Sequence, residues 1–172
     1  ELDLRNLMYT GYAAFNGPFV IRYPRGKGEM KDWRNEMQVL PIGKGKKLRD
    51  GDDIAVLSIG PIGNEVIKAI EMVKEEGVSI AHYDMIYLKP LDEELLHEIG
   101  RKYNRIITVE NGVIKGGFGS AVLEFMADNG FPSDEKRIGE PDAFIEHGSI
   151  PELYQLCGMD AESIAKQLKK EN

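Results

Sequence analysis

The sequence predicts an α/β fold in which a mostly parallel sheet carries helices on both of its faces. Three segments of strand length lie at residues 54–59, 78–85 and 105–109, and the first of them is a continuous apolar run. Segments with helical periodicity separate them. Apolar runs suit parallel strands that are buried on both faces, and regular alternation of strand and helix is typical of right-handed α/β units.

The composition is that of one globular domain with a tail, and it excludes several classes of partner. The chain has 172 residues, of which 42% are hydrophobic and 30% charged, so it can build a core. A net charge of −7 argues against nucleic acid and anionic membrane surfaces as partners. Cys157 is the only cysteine, which excludes an intramolecular disulfide and fits a reducing compartment. No apolar run approaches the roughly 18 residues that a membrane helix needs.

The first 52 residues are expected to contain one helix, one strand and a long connection. Leu4, Leu7 and Met8 have helical spacing, and the Asn-Gly-Pro at 16–18 ends that helix. Residues 19–23 have the composition of a strand, whereas the scattered glycines and lysines of residues 26–52 are typical of a loop or hairpin and make this stretch a plausible linker.

From residue 53 onward, capping residues mark the expected helices. Asn64 is the expected N-cap of the helix after the first strand, Asp92 that of the next, and Ser120 that of the third. A short strand is expected near residues 137–139. Asp160 is the expected N-cap of the last helix, and a shorter helix before it begins with a capping box, in which serine and glutamate satisfy each other's backbone N–H groups at residues 149 and 152.

Two arginines near the end of the 19–23 strand form the first candidate site. Ligands of open α/β sheets bind at the carboxyl ends of strands, and alternation would place Arg25 and Arg22 on opposite faces. A guanidinium group matches phosphate oxygens with a planar fork, so either arginine suits an anion. The alternative from composition alone is that both are surface ion-pair partners.

A glycine-rich segment at residues 110–120 forms the second candidate site, because such a loop can aim backbone N–H groups at an anion. It lacks the third glycine of the dinucleotide fingerprint, and a tight turn that lets helix and sheet pack closely is an equally good interpretation. His82, His97 and His147 have no metal-ligand spacing. The residues by themselves predict no catalytic centre.

Seven motifs follow one another as they do in the C-terminal part of the 1-deoxy-D-xylulose-5-phosphate synthase family, which the chain resembles over nearly its whole length. They lie at residues 9–12 (YTGY), 21–26 (IRYPRG), 40–45 (LPIGKG), 84–92 (DMIYLKPLD), 108–110 (TVE), 116–120 (GGFGS) and 144–148 (FIEHG).

The resemblance implies a transketolase-type enzyme of the bacterial cytoplasm. Members are homodimers that use thiamine diphosphate and Mg²⁺ to decarboxylate pyruvate and join the two-carbon remainder to glyceraldehyde 3-phosphate. The product feeds isoprenoid, thiamine and pyridoxal synthesis. The resemblance also implies that Arg25 holds the phosphate of the aldehyde acceptor, and that Arg22 is structural.

The resemblance further implies that residues 1–37 are the tail of the middle, pyrimidine-binding domain plus a linker. Residues 38–172 would be a three-layer domain like the transketolase C-terminal domain. Cofactor, metal and catalytic glutamate belong to the missing N-terminal and middle domains, so none of these sites is expected here and the chain alone is expected to be inactive. Its start at Glu1 rather than methionine fits a fragment.

Two departures from the family pattern and two other classes of protein stay open. The family usually has arginine and phenylalanine where this chain has Ile86 and Tyr87, and many members read Glu-Glu-Asn where it has Glu-Asn-Gly at residues 110–112. The chain would otherwise be a stand-alone, non-catalytic α/β interaction module. It would also fit another transketolase-like enzyme, such as a 2-oxoacid dehydrogenase subunit, although that class should lack the motif at 21–26.

Overall fold

The computed structural model describes residues 1–24, 26, 28, 30 and 32–169, and the chain divides into two compact units, Glu1–Ile42 and Gly43–Asn172. The resemblance predicts a domain boundary between residues 37 and 38. The assignment of the first part to a middle domain stays a prediction.

The first unit contains helix α1, Leu2–Ala13, whose buried residues are polar. The Asn6 side-chain oxygen accepts a 3.1 Å hydrogen bond from the backbone N–H of Gln38, and the Thr10 hydroxyl accepts one of 2.8 Å from that of Leu40. The connection after residue 32 is therefore bound along the polar side of the helix.

The prediction of a strand at residues 19–23 is wrong, because the backbone of this stretch is irregular. The ring of Phe19 instead packs edge-on against Phe15, with 5.4 Å between the ring centroids. Strands persist only where their backbone groups pair with a neighbouring strand, and no described segment forms such a ladder with these residues.

The second unit is built on a five-stranded sheet in the order β1-β3-β2-β4-β5. Strand β1 is antiparallel to β3, whereas all other neighbours are parallel, which confirms the mostly parallel sheet. The strands are β1 (Lys46–Arg49), β2 (Ile54–Ile59), β3 (Ile80–Asp84), β4 (Arg105–Val113) and β5 (Asp134–Glu140).

Helices cover both faces of this sheet, as the sequence predicts for three layers. Along β2, Ile54 and Val56 belong to an apolar cluster with the helices at Gly63–Met72 and Ala161–Leu168, whereas Ala55 and Leu57 belong to a cluster with those at Glu93–Lys102 and Phe118–Asp128. Successive side chains of a strand point to opposite faces, so one apolar run supplies both layers. The helices are α2 (Gly63–Met72), α3 (Glu93–Lys102), α4 (Phe118–Asp128), α5 (Ile150–Leu156) and α6 (Ala161–Leu168), with a short 3-10 turn at Lys74–Glu76.

Three of the predicted helix starts are confirmed. The Asp92 carboxylate accepts from the N–H of Leu95 at the start of α3, and the Asp160 carboxylate from that of Ser163 at the start of α6. The capping box at 149 and 152 is present at α5. No helix in the described ranges has both the length and the apolar character to cross a membrane.

Two predicted caps are wrong. Helix α2 begins one residue before Asn64, where a turn at Gly60, with φ +79°, lets its carbonyl accept the N–H of Gly63. Helix α4 begins two residues before Ser120, and its first N–H groups are bound by a side chain from β4.

Candidate functional site

Arg25, the residue expected to hold the acceptor phosphate, lies outside the described residues. The residues just before it, Arg22, Tyr23 and Pro24, are exposed and are not part of a strand. Strand alternation therefore no longer supports an orientation for Arg25, and its role stays a prediction that depends on the resemblance.

The order of the strands identifies one edge of the second unit as a candidate site. The chain runs from β2 outward to β3 and then returns to the other side of β2 with β4, so the order reverses between β2 and β4. Open α/β sheets bind ligands outside the carboxyl ends of the strands at such a reversal. Here Ile59 at the end of β2 pairs with Glu110 of β4.

The Glu110 carboxylate occupies the anion-binding position at this edge. It is buried, and its two oxygens accept hydrogen bonds of 2.8 and 2.9 Å from the backbone N–H groups of Phe118 and Gly119. These are the first two residues of α4, where unpaired N–H groups and the helix dipole favour negative charge. An internal carboxylate thus takes the place that a phosphate takes in nucleotide-binding folds.

The rest of the glycine-rich loop is also bound by its own side chains. The Ser120 hydroxyl accepts from the N–H of Gly116 at 3.0 Å and donates to the carbonyl of Ile114 at 2.9 Å. The Arg137 guanidinium donates both to that hydroxyl and to that carbonyl. These hydrogen bonds hold the loop in place through its own side chains and Arg137.

Glycine is required in this loop for close packing. A Cβ atom on Gly117 would lie 2.3 Å from the Glu110 carboxylate, and one on Gly119 would lie 2.5 Å from the Thr108 hydroxyl. Of the two interpretations that the sequence left open, the geometry favours the tight turn between strand and helix over an external anion site.

The motif at 84–92 forms a second internally satisfied cluster around Asp92. Its carboxylate is buried, caps α3, and also accepts from the backbone N–H of Gly45 at 3.0 Å and from the Lys44 ammonium at 3.3 Å. This carboxylate therefore joins the motif at 40–45 to the motif at 84–92, and both have a structural role.

A buried serine and histidine lie side by side in the sheet. His82 Nε2 is 2.8 Å from the Ser58 hydroxyl, and both residues are buried. Burial lowers the pKa of His82 from 6.5 to about 4, so the ring is neutral at pH 7. The pair has the residue types of a nucleophile and its base, but each residue is only 1% exposed, so the Ser58 hydroxyl is not presented to solvent as a nucleophile.

The other two histidines do not form a site. His97 packs edge-on against the rings of Phe125 and Phe131, and His147 is exposed on the loop before α5. Within the described ranges there is no group of three histidine, cysteine or acidic side chains that could hold a metal ion.

The two departures from the family pattern have structural consequences. Ile86 has φ +54°, a left-handed conformation that is costly for a β-branched residue, and its N–H donates to the Asp84 carboxylate at 3.2 Å. Asn111 donates from its side-chain amide to the Tyr154 hydroxyl at 2.9 Å, which connects β4 to α5.

Comparison with known proteins gives a family match over most of the second unit. The family model described as the transketolase C-terminal domain matches residues 43–164. This chain belongs to that family. The match begins at the residue where the second compact unit begins.

Relatives of this transketolase C-terminal domain confirm the resemblance seen in the motifs. The 1-deoxy-D-xylulose-5-phosphate synthase of Parabacteroides distasonis is 95% identical over 172 residues, which is 100% of this chain and 27% of that protein. The synthase of Bacteroides fragilis is 57% identical over 171 residues, 99% of this chain and 26% of that protein. The chain therefore spans little more than a quarter of these relatives.

A solved structure confirms the three-layer fold. The chain described as a split gene transketolase, inactive beta4 tetramer, superposes with a TM-score of 0.69 and 29% sequence identity. The match covers 76% of this chain and 42% of that one.

Sequence reasoning missed two residues that organise the site. It identified Asp92 as a helix cap but not as the acceptor for Gly45, which lies 47 positions away. It did not identify Glu110 as the cap of α4, because local capping signals reach only about three residues. The sequence signal for this cap is an acidic residue at the end of a strand, shortly before a glycine-rich turn that leads into a helix.

Proposed function

We propose that this chain is the C-terminal portion of a 1-deoxy-D-xylulose-5-phosphate synthase. The full-length protein would condense pyruvate with glyceraldehyde 3-phosphate, with loss of CO2, in isoprenoid, thiamine and pyridoxal precursor synthesis. The observation that carries the proposal is the 95% identity, over every residue of the chain, to a protein with that name.

The described residues do not fit a site for thiamine diphosphate and Mg²⁺. The helix N-terminus best placed for a diphosphate is already bound by Glu110, and the described residues include no candidate cluster for a metal ion. We therefore assign both groups to the missing N-terminal and middle domains, together with the residues that do the chemistry.

The contribution of this chain to the reaction would be acceptor positioning by Arg25. A guanidinium group can hold a phosphate through two parallel charge-assisted hydrogen bonds, which fixes both distance and orientation. Holding the aldehyde carbon at the reacting centre lowers the entropic part of the barrier. Arg25 would therefore raise kcat/KM for the aldehyde and leave kcat/KM for pyruvate unchanged.

By itself the 172-residue chain would be inactive, and the active protein would be a homodimer in the bacterial cytoplasm. The split gene transketolase supports the inactivity of the short chain, since that protein shares this fold and is described as an inactive tetramer. The relatives above support the bacterial origin of the protein.

The test is a synthase assay of the full-length protein beside the 172-residue chain. Both are supplied with thiamine diphosphate, Mg²⁺, pyruvate and glyceraldehyde 3-phosphate, and the five-carbon product is measured by mass spectrometry. We expect product only from the full-length protein. Turnover of a ketose phosphate donor without CO2 release would instead favour another transketolase-like enzyme, and product from the short chain would refute our placement of the chemistry.

A further inference from the structure

The chain contains three Asn-Gly dipeptides, at residues 16–17, 111–112 and 129–130. In such a dipeptide the asparagine side chain is open to attack by its own backbone, because glycine has no Cβ to keep its nitrogen away from the side-chain carbonyl carbon. The dipeptide itself makes the three positions chemically equivalent. The structure separates them.

The attack needs a backbone that is free to rotate. A five-membered ring closes only when the peptide group after the asparagine turns until its nitrogen meets Cγ of the side chain. A peptide that is hydrogen-bonded in a strand or at a helix end must first open locally, and that opening costs free energy. A paired Asn-Gly is therefore protected, whereas an unpaired one reacts.

The dipeptide at 129–130 is held at the end of α4. The Asn129 side-chain amide and backbone N–H both donate to the carbonyl of Phe125, over 2.9 and 3.1 Å. The attacking nitrogen would be that of Gly130, which donates to the carbonyl of Ala127 at 3.1 Å. Both reacting groups are bound, so this site must open before the ring can form.

The dipeptide at 111–112 is held inside β4. It lies between Val109 and Val113, which both pair with β5. The Asn111 side-chain amide donates to the Tyr154 hydroxyl of α5 at 2.9 Å. The strand fixes the backbone of this site and the helix fixes its side chain.

The first dipeptide is not held in this way. Residues 16–18 are exposed and lie in the irregular stretch after α1. Within the described part of the chain, neither Asn16 nor Gly17 has a hydrogen-bond partner. The rings of Phe15 and Phe19 meet edge-on with 5.4 Å between their centroids, so the segment is closed at its base while the peptide between them is unpaired.

We propose that Asn16 is a site of spontaneous deamidation. The nitrogen of Gly17 loses its proton to base and forms a bond to Asn16 Cγ, and the side-chain nitrogen leaves as ammonia with a proton from water. Water then opens the cyclic imide at either carbonyl, which gives aspartate or isoaspartate. In sum, one amide and one water become a carboxylate and an ammonium ion, without an oxidant, a metal or an enzyme.

Both products change the connection between α1 and the motif at 21–26. Each places a new negative charge there. Isoaspartate also lengthens the main chain by one atom, because the backbone then runs through Cγ. The modification accumulates with the age of the protein in the segment that leads to Arg25.

Incubation of the full-length protein at mildly alkaline pH, followed by peptide mass spectrometry, tests the proposal. We expect Asn16 to deamidate at least about tenfold faster than Asn111 and Asn129, because those two react only through local opening. The rate should rise with pH, since the Gly17 nitrogen attacks after losing its proton. In water enriched in heavy oxygen, the product should carry one solvent oxygen.

Denaturant supplies the matched control, because it removes the hydrogen bonds that distinguish the three dipeptides. Their rates should then converge. Asn16→Gln keeps Gly17 and should abolish the fast reaction, since glutamine would have to form a six-membered ring, which closes far more slowly.

Two results would overturn the proposal. One is a native Asn16 that reacts no faster than Asn129. The other is a rate difference that persists unchanged in denaturant, which would show that sequence neighbours and not the fold decide the reactivity. All of these readouts are masses, so they are independent of synthase activity and of the proposed function.

Discussion

Glu110 accepts a 2.9 Å hydrogen bond from the backbone N–H of Gly119, which ties the end of β4 to the first turn of α4. The same carboxylate accepts from Phe118, so the negative charge lies at the positive end of the helix dipole. The edge of the sheet that binds ligands in related architectures is therefore closed by the domain itself.

Removal of this cap should destabilise the second unit. We expect Glu110→Ala to lower the free energy of unfolding by about 2–3 kcal/mol, because two buried N–H groups lose a charged acceptor. Glu110→Gln should cost less, since its amide oxygen can still accept from one of them. Denaturant unfolding measures both. Glu124→Ala, on the exposed side of α4, is the control and should change stability by less than about 0.5 kcal/mol.

Acid should destabilise the fold through His82. Its pKa is lowered from 6.5 to about 4 by burial, so between these pH values the unfolded chain binds a proton that the folded chain does not. The free energy of unfolding therefore keeps its full value above pH 6.5. It falls as the pH is lowered further, by about 3 kcal/mol in total at pH 4.

The contribution of His82 is isolated by comparing unfolding curves between pH 7 and pH 4. His82→Gln cannot titrate, so its stability should fall less steeply with acid than that of the unchanged chain. His147→Gln, at an exposed position, should keep the original slope. Parallel curves for the unchanged chain and His82→Gln would contradict the assignment.

The two acidic partners of Lys44 should differ in their effect on stability. Asp92→Ala removes a helix cap and leaves the buried N–H of Gly45 without its acceptor, and we expect a loss of about 2–3 kcal/mol. Glu94 also pairs with Lys44 but is exposed, so Glu94→Ala should cost no more than about 0.5 kcal/mol. Thermal or denaturant unfolding of the two variants checks the ranking, and equal losses would contradict it.

Arg25→Ala in the full-length protein should weaken use of the aldehyde acceptor. Loss of a charged contact to phosphate costs about 1.5–3 kcal/mol, which corresponds to a decrease of roughly 10- to 150-fold in kcat/KM for glyceraldehyde 3-phosphate. Arg25→Lys should recover part of the loss, because lysine keeps the charge but not the fork.

The control for this measurement is Arg22→Ala, which removes a positive charge three positions away and should leave kcat/KM for the aldehyde close to its original value. An Arg25→Ala variant with unchanged KM and kcat/KM for glyceraldehyde 3-phosphate would remove the assignment. A loss confined to pyruvate would also contradict it.

The sequence by itself determined the four parallel strands and the layers of the second unit, because apolar runs and helical periodicity are local properties of the chain. It did not predict β1, which lies in the stretch 26–52 that was expected to be a loop, a hairpin or a linker. Strand β2 occupies residues 54–59 as predicted, and its alternate side chains enter the two predicted helix layers. The caps at Asp92 and Asp160 were also predictable, since each acts on an N–H group three residues away.

Only the tertiary structure decided where more distant parts of the chain meet. Helix α4 begins at Phe118 because its acceptor, Glu110, comes from eight residues upstream on another element. The stretch at 19–23 has strand composition but forms no ladder with another strand in the described part of the chain, and a strand exists only as part of a ladder. Helix α1 buries Asn6 and Thr10 because the connection that packs on it needs acceptors for its backbone N–H groups, a demand that periodicity cannot reveal.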